Sequence, residues 1–410
     1  MKIQVGIFFG GKSVEHEVSV ITAAQTAAAM DAGKYNLIPV YITKDNEMYT
    51  GADLFTPGAY RDLPSLLARS QRVALVRDKG RVHLMRYPSR VFGKPLAAGL
   101  DLAFPVAHGT NGEDGSLQGL FQMHGLPYVG SDVGASACGM DKIVGKRLLE
   151  GAGLPVLPGY SFRAVEYFND PDDIIARLEA FHEYPLMVKP VNLGSSVGIS
   201  PAHDADELRD GIELAASFAE RLLVEPMLAD MREINCSVIG DGEHTEASVC
   251  EEPFSTGEIL SYSDKYQGGG KGGAASAGKA GAGKSGAGGD GAKGMGGSLR
   301  KIPAELEDGK EAEIRALARQ AFAALNCSGV VRVDFLLNKE DDKVYVNEVN
   351  TIPGSLAFYL WEASGKSFGQ LTEELIQLAL KRSRVQERLI WSNEVNILAG
   401  MRRSGKGAAG

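Results

Sequence analysis

The sequence predicts an α/β protein of more than one domain that begins with a doubly wound parallel sheet. Lys2–Phe9 is an apolar run ending at Gly10-Gly11, and Val18–Met30 follows with apolar residues at helical spacing. A second apolar run, Leu37–Ile42, completes a strand, glycine turn, helix and strand, which is how doubly wound domains begin. With 410 residues, the chain is too long for one compact core and fits two or three domains.

Strand and helix patterns alternate along the rest of the chain, and Pro127–Ser131 closes the predicted first domain. The further predicted strands are Asp101–Ala107, Leu186–Val191, Arg221–Glu225, Ile234–Ile239, Glu246–Val249, Val330–Leu337 and Lys343–Asn350. The further predicted helices are Gly139–Ala152, Asp206–Phe218, Lys310–Leu325 and Leu371–Lys381.

Composition excludes several classes of partner. The net charge of −9 gives no electrostatic reason to expect nucleic acid, and no apolar run is long enough to cross a bilayer. The N-terminus lacks the basic and apolar regions of a secretion signal, so we expect a cytoplasmic protein with no membrane partner. The four cysteines are widely spaced, which favours free thiols over a zinc or redox site.

A Gly/Ala/Lys-rich insertion occupies residues 267–297. It has no apolar periodicity, so we predict a mobile segment within a long lid loop, residues 262–302. Within it, Gly278–Ser285 matches the letters of a phosphate-binding P-loop. The flanking residues supply neither the buried strand nor the helix that such a loop requires, and we reject the match.

Acidic and amide side chains near the C-terminal end of the chain predict a metal site. Arg332 and Asp334 share one face of a predicted strand, and Glu348 and Asn350 share one face of the next. Hard oxygen ligands suit Mg²⁺ that bridges nucleotide phosphates, and an arginine suits developing oxyanion charge. The alternative is a solvated sheet face with ion pairs across the strands.

Lysines and a glycine loop predict phosphate binding elsewhere in the chain. Lys142, Lys189 and the loop 192–198 (NLGSSVG) supply positive charge and backbone N–H groups. The segment 225–228 (EPML) ends an apolar strand, and its backbone suits an adenine edge, while Glu233 suits ribose hydroxyls. In the N-terminal domain, Glu15 and His108 are further candidates. The alternatives are a carboxylate that favours the dipole at a helix N-terminus for Glu15 and a satisfied loop histidine for His108, and neither residue is diagnostic by itself.

Eight motifs taken in order resemble the D-alanine–D-alanine ligase family of the ATP-grasp superfamily, over roughly Met1–Lys381. They are GGKSVEHEVS, HGTNGEDGSLQG, MDK, VKPVNLGSSVG, VEP…REI, DKY, VRVDF and NEVNTIPGS. The resemblance implies a three-domain ATP-grasp architecture: residues 1–133, a central domain at 134–228, a C-terminal domain at 229–383, and a tail at 384–410. It also implies ATP-dependent synthesis of D-alanyl-D-alanine, through an acyl phosphate, for peptidoglycan precursors.

The same resemblance assigns residue roles toward ATP and metal. Lys142, Lys189, Ser196 and Lys265 would contact the phosphates or the transferred phosphoryl group. Glu225, Pro226 and Leu228 would meet the adenine, and Glu233 the ribose. Two Mg²⁺ ions, with Mn²⁺ as a substitute, would be held by Asp334, Glu348 and Asn350.

Roles toward the amino acids follow from the same motifs. Glu15 would hold the ammonium group of the first D-alanine, with His108 near its carboxylate. Ser195 and Tyr266 would form a hydrogen-bonded closure with Glu15. Arg332 and the backbone of Gly354 would form the oxyanion hole.

The acceptor is the point where the sequence departs from the family. A serine usually lies about five residues after the Pro-Gly turn, and this chain has Tyr359 there. Ser355, Tyr359 and Leu360 are therefore the predicted acceptor residues. The alternatives are a D-Ala–D-Ser or D-Ala–D-Lac ligase and a nucleotide-binding relative without catalysis; a homodimer is one alternative for the assembly.

Overall fold

The computed structural model describes residues 2–88, 96–254 and 300–390, which form three β-sheets with helices packed on them. Lys265, Tyr266, the insertion at 267–297 and most of the tail lie outside the described residues. No helix in the described part of the chain combines the length and apolarity that crossing a membrane requires.

The first sheet has seven strands. They are β1 (Ile3–Gly10), β2 (Tyr35–Ile42), β3 (Met48–Thr50), β4 (Gln71–Asp78), β5 (Arg81–Arg86), β6 (Leu96–Leu100) and β7 (Leu102–Pro105). Their spatial order is β6-β5-β4-β3-β2-β1-β7. The helices of this part are α1 (His16–Ala29), α2 (Leu63–Arg69) and α3 (Ser116–His124).

This sheet is parallel only in part. β1 pairs in parallel with β2 and β7, as the strand–helix–strand pattern predicts. The pairs from β2 through β6 are antiparallel, which corrects the expectation of a parallel sheet for the outer strands. The physical reason is the short connections, such as residues 79–80 between β4 and β5, because a tight turn can join only antiparallel neighbours.

The second sheet is small and lies in the middle of the chain. It has β8 (Tyr160–Arg163), β9 (Leu186–Pro190), β10 (Ser200–Ala202) and β11 (Arg221–Pro226), in the order β10-β9-β11-β8. The helices are α4 (Val133–Met140), α5 (Lys142–Gly151), α6 (Ala164–Asn169), α7 (Pro171–Phe181) and α8 (Ala205–Ala216). A separate apolar cluster fills this part, with Leu178, Val188 and Ile212 at its centre.

The third sheet carries the predicted metal residues. Its strands are β12 (Met231–Gly240), β13 (Thr245–Pro253), β14 (Arg300–Lys301), β15 (Gly329–Asn338) and β16 (Val344–Asn350), in the order β14-β13-β12-β15-β16. The helices are α9 (Lys310–Ala324), α10 (Phe358–Ala363) and α11 (Phe368–Gln386). α9 buries Ile314, Ala318 and Phe322 against the sheet.

The first and third sheets share a core. One apolar cluster combines Val5 and Phe104 of the first sheet with Leu356, Trp361 and residues of α11. The N-terminal helix α1 therefore lies against the segment that follows β16, and this packing brings the loops of the two parts together at the site. The exact boundaries of the three domains stay a prediction.

Candidate active site

A cleft of about 820 Å³ lies between the second and third sheets. It is lined by eight of the residues predicted for ATP and metal, which are Lys142, Lys189, Ser196, Pro226, Leu228, Glu233, Asp334 and Glu348. Met187, Leu193, Met231 and Phe335 add apolar walls. A cleft with apolar walls and a few convergent charges has the composition of a nucleotide site.

The carboxylates at one end of the cleft are placed by strand register. Asp334 on β15 lies directly opposite Glu348 on β16, and Arg332 lies opposite Asn350. The amide of Asn350 donates to Asp334 over 3.0 Å. Two neighbouring antiparallel strands thus present both acids and the amide on one face, as the alternation of side chains predicts.

Asp334, Glu348 and Asn350 fit a divalent cation by their chemistry. They bring two carboxylates and an amide oxygen to one face, and such hard oxygen ligands suit Mg²⁺ shared with phosphates. Among the described residues there is no cluster of three or more His, Cys, Asp or Glu side chains that would enclose a metal by itself.

Arg332 binds the same carboxylate in this structure. Its Nε donates to Asp334 Oδ1 and its Nη2 to Asp334 Oδ2, both over 2.6 Å. The pair is buried, with the Arg332 side chain 8% exposed. The guanidinium is therefore fixed beside Asp334, one of the predicted metal ligands. The resemblance assigns Arg332 itself to the oxyanion hole.

Lys189 is held by a buried carboxylate. Glu225 on β11 accepts hydrogen bonds from Lys189 on β9 and forms an ion pair with Lys146 on α5. Lys189 also donates to Asn347 over 3.2 Å. Burial would raise the pKa of Glu225, but the charges of Lys189 and Lys146 outweigh burial and hold that pKa below its usual value.

The Glu225 carboxylate therefore anchors lysines, while the chain that follows it lines the cleft. Burial lowers the pKa of Lys146, and the negative charge of Glu225 opposes that shift. Pro226, Met227 and Leu228 border the cleft. The backbone and these side chains can therefore make the predicted contact with adenine. The Glu225 carboxylate binds Lys146 and Lys189 instead.

Lys142 begins helix α5 and reaches toward the metal residues. Asp141 caps the helix through N–H bonds from Ile143 and Val144. The Lys142 ammonium donates to the carbonyl of Leu193 over 2.5 Å and lies 3.7 Å from the Glu348 carboxylate. One lysine thus connects the glycine loop with the third sheet.

A smaller cavity of about 360 Å³ adjoins the cleft and contains one of the two predicted donor residues, Glu15. Glu15, Glu113, Lys142, Glu348 and Asn350 line it. The hydroxyl of Ser195 donates to the Glu15 carboxylate, so the predicted contact between these two residues is present. Tyr266, the third member of that predicted closure, lies outside the described residues.

His108 takes part in two buried hydrogen bonds, and its predicted place near the donor carboxylate stays a prediction. Its Nδ1 lies 2.8 Å from the carbonyl of Ile352, and its Nε2 lies 2.9 Å from the Thr22 hydroxyl. The side chain is buried, and burial lowers its pKa. Both ring nitrogens are used inside the protein, and one of them contacts the turn after β16.

Sequence profiles for two domains match this chain. The D-ala D-ala ligase N-terminus matches residues 4–131, and the D-ala D-ala ligase C-terminus matches residues 148–280 and 294–377. The chain belongs to the D-alanine–D-alanine ligase family. Members of this family are ATP-dependent ligases that act on small molecules.

Similar proteins cover nearly the whole chain. A D-alanine–D-alanine ligase of Thermosipho melanesiensis is 35% identical over 396 residues, 97% of this chain and 98% of that protein. One from Acetivibrio thermocellus is 37% identical over 400 residues, 93% of this chain and 96% of that protein.

Solved structures agree with the family and give its ATP-grasp fold. The D-alanine-D-alanine ligase from Coxiella burnetii has a TM-score of 0.73 and 27% identity, covering 94% of this chain and 96% of its own. The VanG D-Ala:D-Ser ligase from Enterococcus faecalis has a TM-score of 0.72 and 28% identity, covering 92% and 100%.

The acceptor residues predicted from the D-alanine–D-alanine ligase resemblance do not line the main cleft. Leu360 is fully buried in α10, and Ser355 is 1% exposed. The Tyr359 hydroxyl donates to Glu251 over 3.0 Å, and its ring lies 4.2 Å below the Arg300 guanidinium. Tyr359 therefore does not supply an unengaged hydroxyl at the position where the family usually has serine.

Sequence reasoning missed several residues of this ligase site. Lys146 follows Lys142 by four residues on one helix, so helical spacing was a usable signal. Glu113 lies inside the HGTNGEDG motif, although the sequence did not predict a role for it. Thr22 and Asn347 enter only through tertiary contacts, for which the sequence held no direct signal.

Proposed function

We propose that this protein joins two molecules of D-alanine into D-alanyl-D-alanine, with cleavage of ATP to ADP and phosphate, for peptidoglycan precursors. The observation that carries the proposal is the convergence of three distant segments on the cleft and on the smaller cavity that adjoins it. Lys142 and Lys189 come from the central part, Asp334 and Glu348 from the third sheet, and Glu15 from the N-terminal part.

ATP would occupy the cleft between the second and third sheets. Its base would lie against the apolar walls near Leu228, and Glu233 would accept from ribose hydroxyls. Lys142 and Lys189 would face the phosphates, because a compact ammonium group suits phosphate charge. Asp334, Glu348 and Asn350 would hold Mg²⁺, with Mn²⁺ as a substitute, and a bound cation would neutralise part of the phosphate charge.

The donor D-alanine would occupy the smaller cavity, with its ammonium group at Glu15. A donor carboxylate oxygen attacks the γ-phosphorus of ATP, the bond to the β–γ bridging oxygen breaks, and ADP leaves. The amine of the second D-alanine, having lost a proton, then attacks the carbonyl carbon. The C–O bond to phosphate breaks, so inorganic phosphate leaves with one oxygen of the donor carboxylate.

Arg332 and the backbone N–H of Gly354 would stabilise the oxyanion of the tetrahedral intermediate. The acyl phosphate hydrolyses readily, so the site must exclude water while it persists. The contact of Ser195 with Glu15 supports such exclusion, because it ties the glycine loop over the donor cavity.

D-Serine as acceptor is a second candidate. The VanG D-Ala:D-Ser ligase resembles this chain in fold about as well as the Coxiella burnetii enzyme does. This chain also has Tyr359 where the family usually has serine, and the Tyr359 hydroxyl donates to Glu251. Other residues must therefore determine which acceptor is chosen.

A coupled ADP-release assay tests the proposal. With ATP, Mg²⁺ and D-alanine alone, we expect ADP release and a dipeptide identified by mass spectrometry. Adding D-serine or D-lactate separates the alternatives. A D-Ala–D-Ser or D-Ala–D-Lac ligase would then form mainly the mixed product, whereas a D-alanine–D-alanine ligase would still form mainly D-alanyl-D-alanine. Absence of turnover with D-alanine alone, together with turnover on a mixture, would overturn D-alanine as the acceptor.

A further inference from the structure

The turn after β16 has an unusual backbone. Ser355, Leu356 and Ala357 follow Gly354 and have φ values of 52°, 53° and 50°. Residues with a Cβ rarely adopt this left-handed region, and three in succession are disfavoured. Such strain persists only where surrounding contacts determine the conformation, so the residues that hold this turn are of interest.

Helix α1 holds one side of the turn. The Ser355 N–H donates to the Thr22 hydroxyl over 3.2 Å. The carbonyl of Ile352 can only accept, so His108 Nδ1 carries the proton at 2.8 Å and Nε2 accepts from Thr22 at 2.9 Å. One hydroxyl therefore accepts from the turn and donates to a histidine that also binds the turn.

Glu113 holds the other side. Its Oε1 accepts from the Ile352 N–H over 2.8 Å, and its Oε2 accepts from the Gly109 N–H over 2.8 Å. The carboxyl is buried, and burial followed by the charge of Glu15 raises the pKa of Glu113 to about 8. Both backbone groups of Ile352 are thus bound by the loop that contains the HGTNGEDG motif.

We propose that Thr22, His108 and Glu113 are positioning residues that hold residues 351–357 so that the Gly354 N–H faces the reacting carbonyl. This inference rests on the proposed function, in which that N–H stabilises the oxyanion. The three side chains belong to the N-terminal part and act through the turn on chemistry at the third sheet. Through these contacts, the packing of the N-terminal part against the turn positions the oxyanion hole.

Thr22→Val tests the proposal with little change of shape, because it replaces the hydroxyl by a methyl group. Thr22→Ser is the conservative variant that keeps the hydroxyl. Thr26→Val is the matched control: Thr26 lies one turn further along α1, is equally buried, and its hydroxyl has no hydrogen-bond partner within the described residues.

We expect Thr22→Val to lower kcat by about 10- to 100-fold. The Kd for ATP should not change, because the nucleotide cleft does not include Thr22. A phosphinate analogue of the dipeptide, whose phosphorus oxygen mimics the oxyanion, should bind more weakly to Thr22→Val by a similar factor. Thr22→Ser should restore most of the lost kcat, and Thr26→Val should match wild type.

A double variant separates positioning from general damage. Glycine adopts the left-handed region without penalty, so Ala357→Gly makes the turn depend less on its contacts. We expect Thr22→Val with Ala357→Gly to regain part of the kcat that Thr22→Val loses.

Wild-type kcat and phosphinate affinity in Thr22→Val would overturn the proposal, as would equal losses in Thr22→Val and Thr26→Val. If Thr22→Val does not fold, the same measurements on Glu113→Gln decide. We expect Glu113→Gln to bind the phosphinate more weakly, and unchanged binding would contradict the positioning role of these residues. Wild-type protein that makes no dipeptide would instead refute the proposed function.

Discussion

The buried carboxylate of Glu225 offers a prediction that can be worked out from the structure. Glu225→Gln keeps the shape of the side chain and removes its charge. The change leaves the ammonium groups of Lys146 and Lys189 without their shared partner, in a place where their side chains are only 13% and 11% exposed.

The expected cost follows from the burial of the group. Removing one partner of a buried ion pair costs about 3–5 kcal/mol, because the remaining charge is left uncompensated. The two lysines keep some exposure, which favours the lower part of that range, about 3–4 kcal/mol. At about 2–4 °C per kcal/mol for a cooperative unit of about 150–250 residues, the melting temperature of the unit that contains this pair should fall by about 6–16 °C.

Thermal unfolding with and without ATP measures this effect. Glu207→Gln is the control, because it removes a carboxylate from an exposed pair with His203 and should leave the melting temperature unchanged. Lys189 also loses an anchor in Glu225→Gln, so we expect weaker ATP binding. If Glu225→Gln has the same melting temperature as the wild-type protein at neutral pH, this account of the lysine pair is refuted.

The pH dependence gives a second check on the same variant. The folded pKa of Glu225 is lowered, so its stabilisation is fully present above the unfolded value of about 4.5 and is lost as pH falls through the folded value. The difference in stability between wild type and Glu225→Gln should therefore persist at neutral pH and shrink below about pH 4.5.

Three further predictions concern other residues. Glu348→Gln should lower kcat by at least about 1,000-fold with little change in melting temperature, and retained turnover would remove Glu348 from the metal site. Ser195→Ala should raise the KM for the donor amino acid by about tenfold in steady-state kinetics, since a hydrogen bond to a charged carboxylate is lost; an unchanged KM would contradict that contact. The buried, neutral His108 should make the stability fall as pH drops below about 6.5, by up to about 1.4 kcal/mol per pH unit in denaturant titrations, and a His108→Gln variant with the same slope would exclude this source.

Periodicity in the sequence predicted the long elements of this fold well. The apolar runs at Lys2–Phe9 and Val330–Leu337 are strands within two residues of their predicted ends, and α9 begins at the predicted Lys310. Strong, regular patterns carry enough information for this. The strands β3 to β6 were not predicted, because they are partly exposed and defined mainly by pairing with their neighbours.

The site divides in the same way. Asp334 and Glu348 were predicted together because alternation along two adjacent strands fixes which side chains share a face. Lys146 and Glu113 carried a usable signal, helical spacing from Lys142 and membership of a motif, but their partners Glu225 and Ile352 are distant in sequence and appear only in the fold. The resemblance placed His108 near a substrate carboxylate, which stays a prediction, and the two protein partners of its ring nitrogens could not be read from the sequence.

The engaged Tyr359 illustrates a limit of residue-by-residue transfer. Position in the motif suggested an acceptor contact, but the hydroxyl donates to Glu251, which also accepts from Arg300 over 2.9 Å. A local network of buried charges decides the orientation of that side chain. Such a network is formed across two strands and a helix, so no single stretch of sequence contains it.

Oxygen-isotope transfer tests the central claim most directly. The wild-type protein is incubated with ATP, Mg²⁺ and D-alanine carrying ¹⁸O in both carboxylate oxygens, and the inorganic phosphate is analysed by mass spectrometry. Activation of the carboxylate by phosphoryl transfer predicts one ¹⁸O in the phosphate for each dipeptide formed. Dipeptide formed together with unlabelled phosphate would contradict the acyl phosphate and the role that we give to the cleft.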